Sequence, residues 1–168
     1  MAVKIFSQNK VNSKPRGQAM VEFAIALPVL LMMLVGIMEV GRLVFMYTLV
    51  TNASRDAVRY ASAYGRGEDG LLKYKNCAGI KFAARQSAYI VTLTSISVTY
   101  DSGPAGSSKG TCDASSGEDA DIDVDTGDRV IVTVQATYNP IVSLLPIGSR
   151  TFTATSRRTI LGVYDLPN

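Results

Sequence analysis

The feature of this sequence that most constrains its fold is an uncharged apolar run of sixteen residues, from Phe23 to Met38. Together with residues 18–22 in front of it, the run makes a stretch of 21 residues with a single charge, Glu22. A soluble core helix would carry polar side chains at every third or fourth position, and the run has none. Because a helix needs about 20 mostly apolar residues to cross a bilayer, we predict a transmembrane segment over residues 18–40.

The charges around the run predict its orientation. Four of the chain's seventeen Lys and Arg residues lie in residues 1–17, a leader that contains no acid. Since Lys and Arg stay on the cytoplasmic side, the N-terminus is expected in the cytoplasm and the C-terminal part outside it. A secretory signal peptide also begins with a basic segment and an apolar core, but the small-residue cleavage site is missing at the end of this run.

The remaining composition excludes several function classes. Residues 18–168 have 13 basic and 14 acidic residues, a net charge of −1, whereas a nucleic-acid-binding domain needs a basic stripe on its folded part. The chain has no His, which excludes His-dependent triads and most zinc sites. An acidic pair within residues 119–128 would be the best catalytic candidate, but nothing nearby supplies a nucleophile or an apolar pocket. We therefore expect that the protein is not an enzyme and has no catalytic residue, and that it binds neither a cofactor nor nucleic acid.

The helix is predicted to continue past the membrane to about Tyr64. Apolar and small side chains keep a spacing of three and four residues there, while Arg55 and Arg59 fall on the opposite face. The stripe comprises Leu43, Tyr47, Val50, Ser54, Ala57, Ala61 and Tyr64. The predicted organisation is a leader over 1–17, a transmembrane segment over 18–40, an extracytoplasmic continuation of the helix over 41–64 and a head over 65–168.

The head is predicted to be a small α+β unit. Apolar and small residues recur at helical spacing from Cys77 to about Val91, which predicts a second, shorter helix. Three segments alternate between apolar and polar residues as strands with one solvated face do, namely Ser95–Tyr100, Asp128–Tyr138 and, more weakly, Phe152–Ile160. Residues 101–127 are expected to form a long loop. The fold class is therefore α+β, with a long N-terminal helix whose first half spans the membrane, a small antiparallel sheet and a second short helix.

The two cysteines of the chain, Cys77 and Cys112, lie in the predicted head. If the head faces the oxidising side of the membrane, a disulfide between them is the simplest interpretation. Free or intermolecular thiols are the alternatives.

The stretch 101–128 is acid-rich, with eight Asp and Glu residues against one Lys. Counted from Asp121, carboxylates stand at positions one, three and five of an EF-hand loop, the other two being Asp123 and Asp125. The sixth position is Thr126 instead of Gly and the twelfth is Val132 instead of Glu, so an EF-hand is excluded. A looser calcium site at these three residues is a weak candidate, and a solvated acidic edge that blocks unwanted strand pairing is the alternative.

The junction between the leader and the apolar run carries the pattern that points to a function. It reads Lys14-Pro-Arg-Gly-Gln-Ala-Met-Val-Glu-Phe23. This resembles a prepilin processing site, where a membrane peptidase cuts after the Gly and leaves Glu at mature position five and an aromatic residue at six. The resemblance implies a processing site formed by Gly17, Gln18, Glu22 and Phe23.

The resemblance extends through Glu39-Val-Gly-Arg42 and through residues 51–61, Thr-Asn-Ala-Ser-Arg-Asp-Ala-Val-Arg-Tyr-Ala. The first 65 residues resemble the TadE-like minor pilins of the tight-adherence (Tad/Flp, type IVc) pilus system. This implies a single-pass protein of the bacterial inner membrane, with a periplasmic or extracellular head, that contributes to pilus assembly, adhesion and biofilm formation. The implied partners are the prepilin peptidase, other pilins and minor pilins of the same system, and membrane lipid.

Two carboxylates near the apolar run have different expected roles. Glu22 lies inside the predicted span, where a charge costs about 2.5–3.5 kcal/mol and usually has a partner. Cleavage after Gly17 would create one, the α-amine of Gln18 in an adjacent subunit; the alternative is that Glu22 only snorkels to the interface. Glu39 is expected to pair with Arg42 at the outer boundary.

A different class of protein fits the same features less well. It is an uncleaved, membrane-anchored extracytoplasmic binding module whose acidic loop binds calcium or another ligand. The native N-terminus separates the two hypotheses.

Overall fold

The computed structural model describes residues 16–112, 123–142 and 148–161. The chain divides into two compact units, Met1–Met38 and Glu39–Asn168. Helix α1 (Arg16–Ser62) contributes to both, since its residues up to Met38 belong to the first unit and the rest to the second.

The described part of the first unit is the apolar part of α1. Every side chain from Gly17 to Leu34 is exposed. The most apolar 18-residue window of α1 has a mean hydropathy of 2.4, and none of it is buried. Within the described ranges, α1 is the one helix long and apolar enough to cross a membrane. A continuous exposed apolar surface of this kind needs apolar surroundings, which a bilayer provides.

The second unit contains the rest of α1, the short helix α2 (Cys77–Ser87) and a four-stranded sheet. The strands are β1 (Leu93–Asp101), β2 (Ser108–Thr111), β3 (Arg129–Tyr138) and β4 (Arg150–Thr159). Their order in the sheet is β2-β1-β3-β4, and every neighbouring pair is antiparallel. The predicted α+β class, with a long apolar N-terminal helix, a second short helix and a small antiparallel sheet, is confirmed.

Strand β2 lies inside the stretch 101–127, so the prediction of one uninterrupted loop is wrong at residues 108–111; residues 113–122 lie outside the described residues. Its sequence, Ser-Lys-Gly-Thr, contains no apolar residue, so no hydrophobic alternation marks it as a strand. Backbone pairing to β1 forms it instead, with Tyr100 opposite Gly110 and Thr99 opposite Thr111. The helix ends also differ slightly from prediction, α1 ending at Ser62 and α2 at Ser87.

The core of the second unit forms where α1 packs on one face of the sheet. Ala53, Ala57 and Ala61 recur at intervals of four along α1 and are fully buried. Such short side chains let a helix backbone approach a sheet closely. Of the predicted stripe, Tyr47 and Tyr64 are 55% and 66% exposed, so its outer members do not belong to the core.

Strand β3 supplies the sheet side of this core. Its alternate residues point inwards and are buried, namely Val130, Val132, Val134, Ala136 and Tyr138. Helix α2 adds Ile80 and Ala84 to the same cluster. The predicted alternation of the strand over 128–138 is confirmed.

A disulfide joins Cys77, at the start of α2, to Cys112, directly after β2. Both cysteines are buried. The predicted disulfide is therefore present. It ties the short edge strand to the core, and closing a chain segment of 35 residues stabilises a fold by roughly 3–4 kcal/mol.

Candidate functional site

The residues of the predicted processing site lie in the first described turns of α1. Gly17, Gln18, Glu22 and Phe23 are all exposed. Because Gln18 and Glu22 are four residues apart, they share one face of the helix. The Gln18 Nε2 atom donates a hydrogen bond of 3.3 Å to the Oε1 atom of Glu22. The structure thus brings together the predicted new N-terminal residue and the carboxylate of the motif.

Gly17 is not required by the fold of the described chain. A Cβ atom at this position would meet no other atom within 4 Å, and the backbone φ is not in the left-handed region. A glycine that neither packing nor backbone conformation demands is available for recognition by another protein.

Glu22 has a neutral partner and no cationic one among the described residues. The ion pairs there are Arg42 with Glu39, Lys109 with Asp128, and Arg129 with Asp101. The hydrogen bond from Gln18 offsets part of the cost of placing a carboxylate in an apolar surface, but it does not neutralise the charge.

Glu39 lies in the second unit, and its surroundings are the opposite of those of Glu22. The residue is 1% exposed. Its Oε1 atom accepts hydrogen bonds from the Tyr138 hydroxyl at 2.6 Å and from the Ile141 backbone N–H at 2.8 Å. The Arg42 Nη1 atom lies 3.3 Å from the same oxygen. We call this group, Glu39 with Arg42, Tyr138 and the Ile141 N–H, the Glu39 cluster.

The Glu39 cluster fastens α1 to the far end of β3. Arg42 also donates from Nη2 to the backbone oxygen of Asn139 at 3.0 Å, and its guanidinium lies 5.1 Å from the centroid of the Tyr138 ring. The ring of Phe152, on β4, makes edge contacts with Tyr138 and with Tyr47. Burial and the neighbouring Glu39 carboxylate raise the pKa of Tyr138, so its hydroxyl remains a hydrogen-bond donor at neutral pH.

The ion pair between Glu39 and Arg42 was expected from their spacing, but the burial of Glu39 was not. Its two strongest partners follow it by 99 and 102 residues in the chain. One signal in the sequence points to this cluster: Tyr138 is the last inward-facing residue of β3. The hydroxyl of a buried tyrosine needs a hydrogen-bond partner.

The acid-rich stretch is only partly described. Asp123 and Asp125 are exposed, while Asp121 and Asp119 lie outside the described residues. Within residues 16–112, 123–142 and 148–161, no group of three or more Asp, Glu or Cys side chains could hold a metal ion.

Two other acids of this stretch have structural partners. Lys109 Nζ lies 2.8 Å from Asp128 Oδ2, and the Asp125 N–H donates to the same oxygen at 2.7 Å. Arg129 makes two hydrogen bonds to Asp101, of 2.7 Å and 2.6 Å. These two ion pairs join β1, β2 and β3 at one end of the sheet.

The fold and the N-terminal site define a class of protein with one candidate spanning helix and an α+β head. The family model for TadE-like protein matches residues 17–59, which include the predicted processing site, Glu39 and Arg42. This stretch of the chain is therefore a TadE-like region, and the resemblance found in the sequence is confirmed. No curated protein and no solved structure matches the chain.

The family match and the helix fit a membrane-anchored, single-pass, pilin-like protein. The matched stretch is 43 of the 168 residues, and it includes no residue of α2 or of the sheet.

Proposed function

We propose that this protein is a minor pilin or pseudopilin of the inner membrane and that a prepilin peptidase processes it after Gly17. In this proposal it contributes to assembly of a tight-adherence pilus, and through the pilus to adhesion and biofilm formation. The observation that carries the proposal is that the TadE-like region begins at Gly17 and continues along an exposed apolar helix.

The local structure at Gly17 supports processing there. Gly17 and Gln18 are exposed, and nothing outside the neighbouring helix backbone lies within 4 Å of a Cβ atom placed on Gly17. A peptidase at the membrane surface can therefore approach the peptide bond between these two residues.

The proposed orientation places the N-terminus in the cytoplasm and the head outside it. The basic leader supports this orientation through the distribution of Lys and Arg around the span. The disulfide supports it as well, because a buried Cys77–Cys112 bond is stable in an oxidising compartment.

Glu22 is proposed to be the residue that positions subunits during assembly. Cleavage would give Gln18 a positive α-amine inside an apolar environment, where opposite charges attract more strongly than in water. The carboxylate of Glu22 has no cationic partner among the described residues, so the amine of a neighbouring subunit can neutralise it. Such a pairing would fix the axial register of adjacent subunits.

The N-terminal mass of the protein purified from its native membranes tests the proposal. We expect a mature chain that begins at Gln18. A chain that begins at Met1 or Ala2 would contradict processing and would fit the uncleaved binding module.

A pair of glycine variants sharpens this test. Gly17→Leu is expected to leave the leader in place, because a bulky side chain obstructs the extended backbone at the cut. Gly36→Leu is the matched control, since Gly36 also lies in α1 with nothing within 4 Å of its missing Cβ. Its chain should be shortened normally, and equal processing of both variants would place the cut elsewhere.

A further inference from the structure

A basic groove of about 520 Å³ lies in the second unit between the exposed face of α1 and strand β4. Four arginines line it, Arg55, Arg59, Arg157 and Arg158. All four residues are exposed. Beneath the groove, a hydrogen bond of 2.8 Å between the hydroxyls of Ser54 and Ser156 joins α1 to β4. This bond holds the two elements that line the groove together.

The described residues compensate the positive charge of this arginine groove only in part. Asp56 is the one carboxylate in its lining, and its Oδ2 atom accepts a hydrogen bond of 2.7 Å from Ser87. Asp101 attracts Arg157 electrostatically. None of the ion pairs in the described ranges involves a groove arginine. Like charges four residues apart on a helix, such as Arg55 and Arg59, repel each other, and an anionic partner would relieve that repulsion.

The chain itself contains a segment of matching charge. Residues 113–125 hold six acids and no base, namely Asp113, Glu118, Asp119, Asp121, Asp123 and Asp125. At its described end, Asp123 and Asp125 are exposed, whereas the nearby Asp101 and Asp128 are already paired with Arg129 and Lys109. We call residues 113–125 the acidic stretch.

We propose that the arginine groove of one copy binds the acidic stretch of a second copy of this chain. Guanidinium groups pair with carboxylates in bidentate geometry, and several such pairs across a contact specify its partner and its register. Because the two surfaces differ, the contact is heterologous, and each copy keeps one free groove and one free stretch to continue the series. Anchoring by α1 would confine the copies to one membrane, which raises their local concentration.

A second copy fits the groove better than anionic lipid does. Arg55 lies sixteen residues beyond Glu39 in α1, a rise of roughly 24 Å along the helix axis. Because the apolar run ends at Met38, Arg55 and Arg59 stand seventeen and twenty-one residues beyond it in the sequence, apart from the segment predicted to contact lipid. The inference deepens the proposed function, on which it rests, because it names a contact between subunits.

Co-purification of two differently tagged full-length copies from membranes tests the contact. The groove variant is Arg55→Glu with Arg158→Glu, and the stretch variant is Asp119→Arg with Asp121→Arg. Each variant alone should lower recovery of its differently tagged copy about tenfold. Co-expression of the groove variant with the stretch variant should restore recovery, since the wild-type groove of one copy then meets the wild-type stretch of the other and the two charge-reversed surfaces also match.

A matched control has the same change in charge outside the groove, Lys75→Glu with Arg150→Glu. It should recover its partner as the wild type does, and an equal loss would attribute the effect to net charge and overturn the proposal. Unchanged recovery in the groove and stretch variants would also overturn it. If both variants lose recovery and mixing them fails to restore it, the contact between copies is not the one proposed.

The outcome is separable from that of the proposed function. Self-association is scored here between copies of one chain, whereas the proposed function is scored by the N-terminal mass and by other pilus components. A chain that is cleaved at Gly17 but shows no charge-dependent self-association would overturn only the groove contact.

Discussion

The two parts of helix α1 differ in what satisfies their side chains. Up to Leu34 every described side chain is exposed although most are apolar, whereas from Val50 onwards one face is buried against the sheet. The two carboxylates repeat the contrast: Glu39 has three donors within its own chain, and Glu22 has one neutral donor. The first part therefore has an apolar surface that no described residue covers, and the second part is covered by the head.

Among the changes that this comparison suggests, removal of the disulfide is expected to have the largest effect on stability. It should affect the head alone. Replacing Cys77 and Cys112 together by Ala should lower the free energy of unfolding of the head by about 3–4 kcal/mol. Membrane insertion should be unchanged, because the apolar part of α1 contains neither cysteine. Thermal unfolding of the detergent-solubilised full chain measures the first effect and membrane fractionation the second.

Alkylation of the wild-type protein provides the control for that experiment. Neither thiol should react without a reductant, and both should react after reduction and unfolding. Quantitative labelling of both cysteines in the untreated protein would show that the bond does not form.

A second prediction contrasts the two carboxylates directly through stability. Glu39→Ala leaves the Tyr138 hydroxyl and the Ile141 N–H without their acceptor, and buried donors without acceptors are destabilising. We expect the melting temperature of the head to fall by roughly 5–10 °C, and that of Glu22→Ala to stay at the wild-type value. Thermal unfolding of the two full-length variants under the same detergent conditions measures the difference. An unchanged melting temperature for Glu39→Ala would mean that the Glu39 cluster does not hold α1 to β3.

A third prediction concerns association with other pilus components, which should depend on Glu22. Glu22→Ala makes the span more apolar, so insertion and folding should be preserved while recovery of other pilus components falls about tenfold. Glu22→Gln keeps the volume but removes the charge, and it should behave nearly as Ala does. Co-purification of tagged protein at equal membrane levels measures the loss. If both variants recover partners as the wild type does, the carboxylate only snorkels and its assembly role must be withdrawn.

The sequence predicts features that depend on local pattern better than features that depend on distant contacts. The alternation in β3, the continuous apolar run of α1 and the pairing of two lone cysteines each have a local or compositional signal. Strand β2 has none, because its four polar and small residues are ordered by pairing with β1. The Glu39 cluster cannot be predicted from the sequence for a related reason, since it depends on where β3 ends relative to α1.

The N-terminal site gives the opposite lesson. Gly17, Glu22 and Phe23 can be singled out from the sequence because their proposed role depends on an outside partner that reads a linear motif, and the structure adds only that these residues are exposed. The sequence does not reveal the arginine groove, because about a hundred residues separate Arg55 and Arg59 from Arg157 and Arg158. Only the packing of α1 beside β4 brings the two pairs together.

The smallest predicted effect concerns acid, and it again belongs to the head. Hydrogen bonds from Arg129 hold the pKa of Asp101 below its ordinary value of 3.8. Burial opposes ionisation of Asp128, but hydrogen bonds from Lys109 and from the Asp125 N–H keep its pKa below 3.8 as well.

Because both folded-state pKa values lie below those of the unfolded chain, the unfolded chain binds more protons as the pH falls. The stabilisation is therefore complete above about pH 5 and is lost as the pH falls through the folded pKa values of the two carboxyls. Melting temperatures of the head measured from about pH 6 down to about pH 2 should show this decline.

Asp128→Asn should make the decline of the melting temperature at low pH less steep, since it removes one of these two carboxyls with a lowered pKa. Asp123→Asn is the matched control, because Asp123 is exposed in the same stretch and forms no ion pair with a described residue. The control should retain the wild-type pH dependence. An equally steep decline of the melting temperature in Asp128→Asn would mean that the pair with Lys109 adds nothing to the acid dependence of stability.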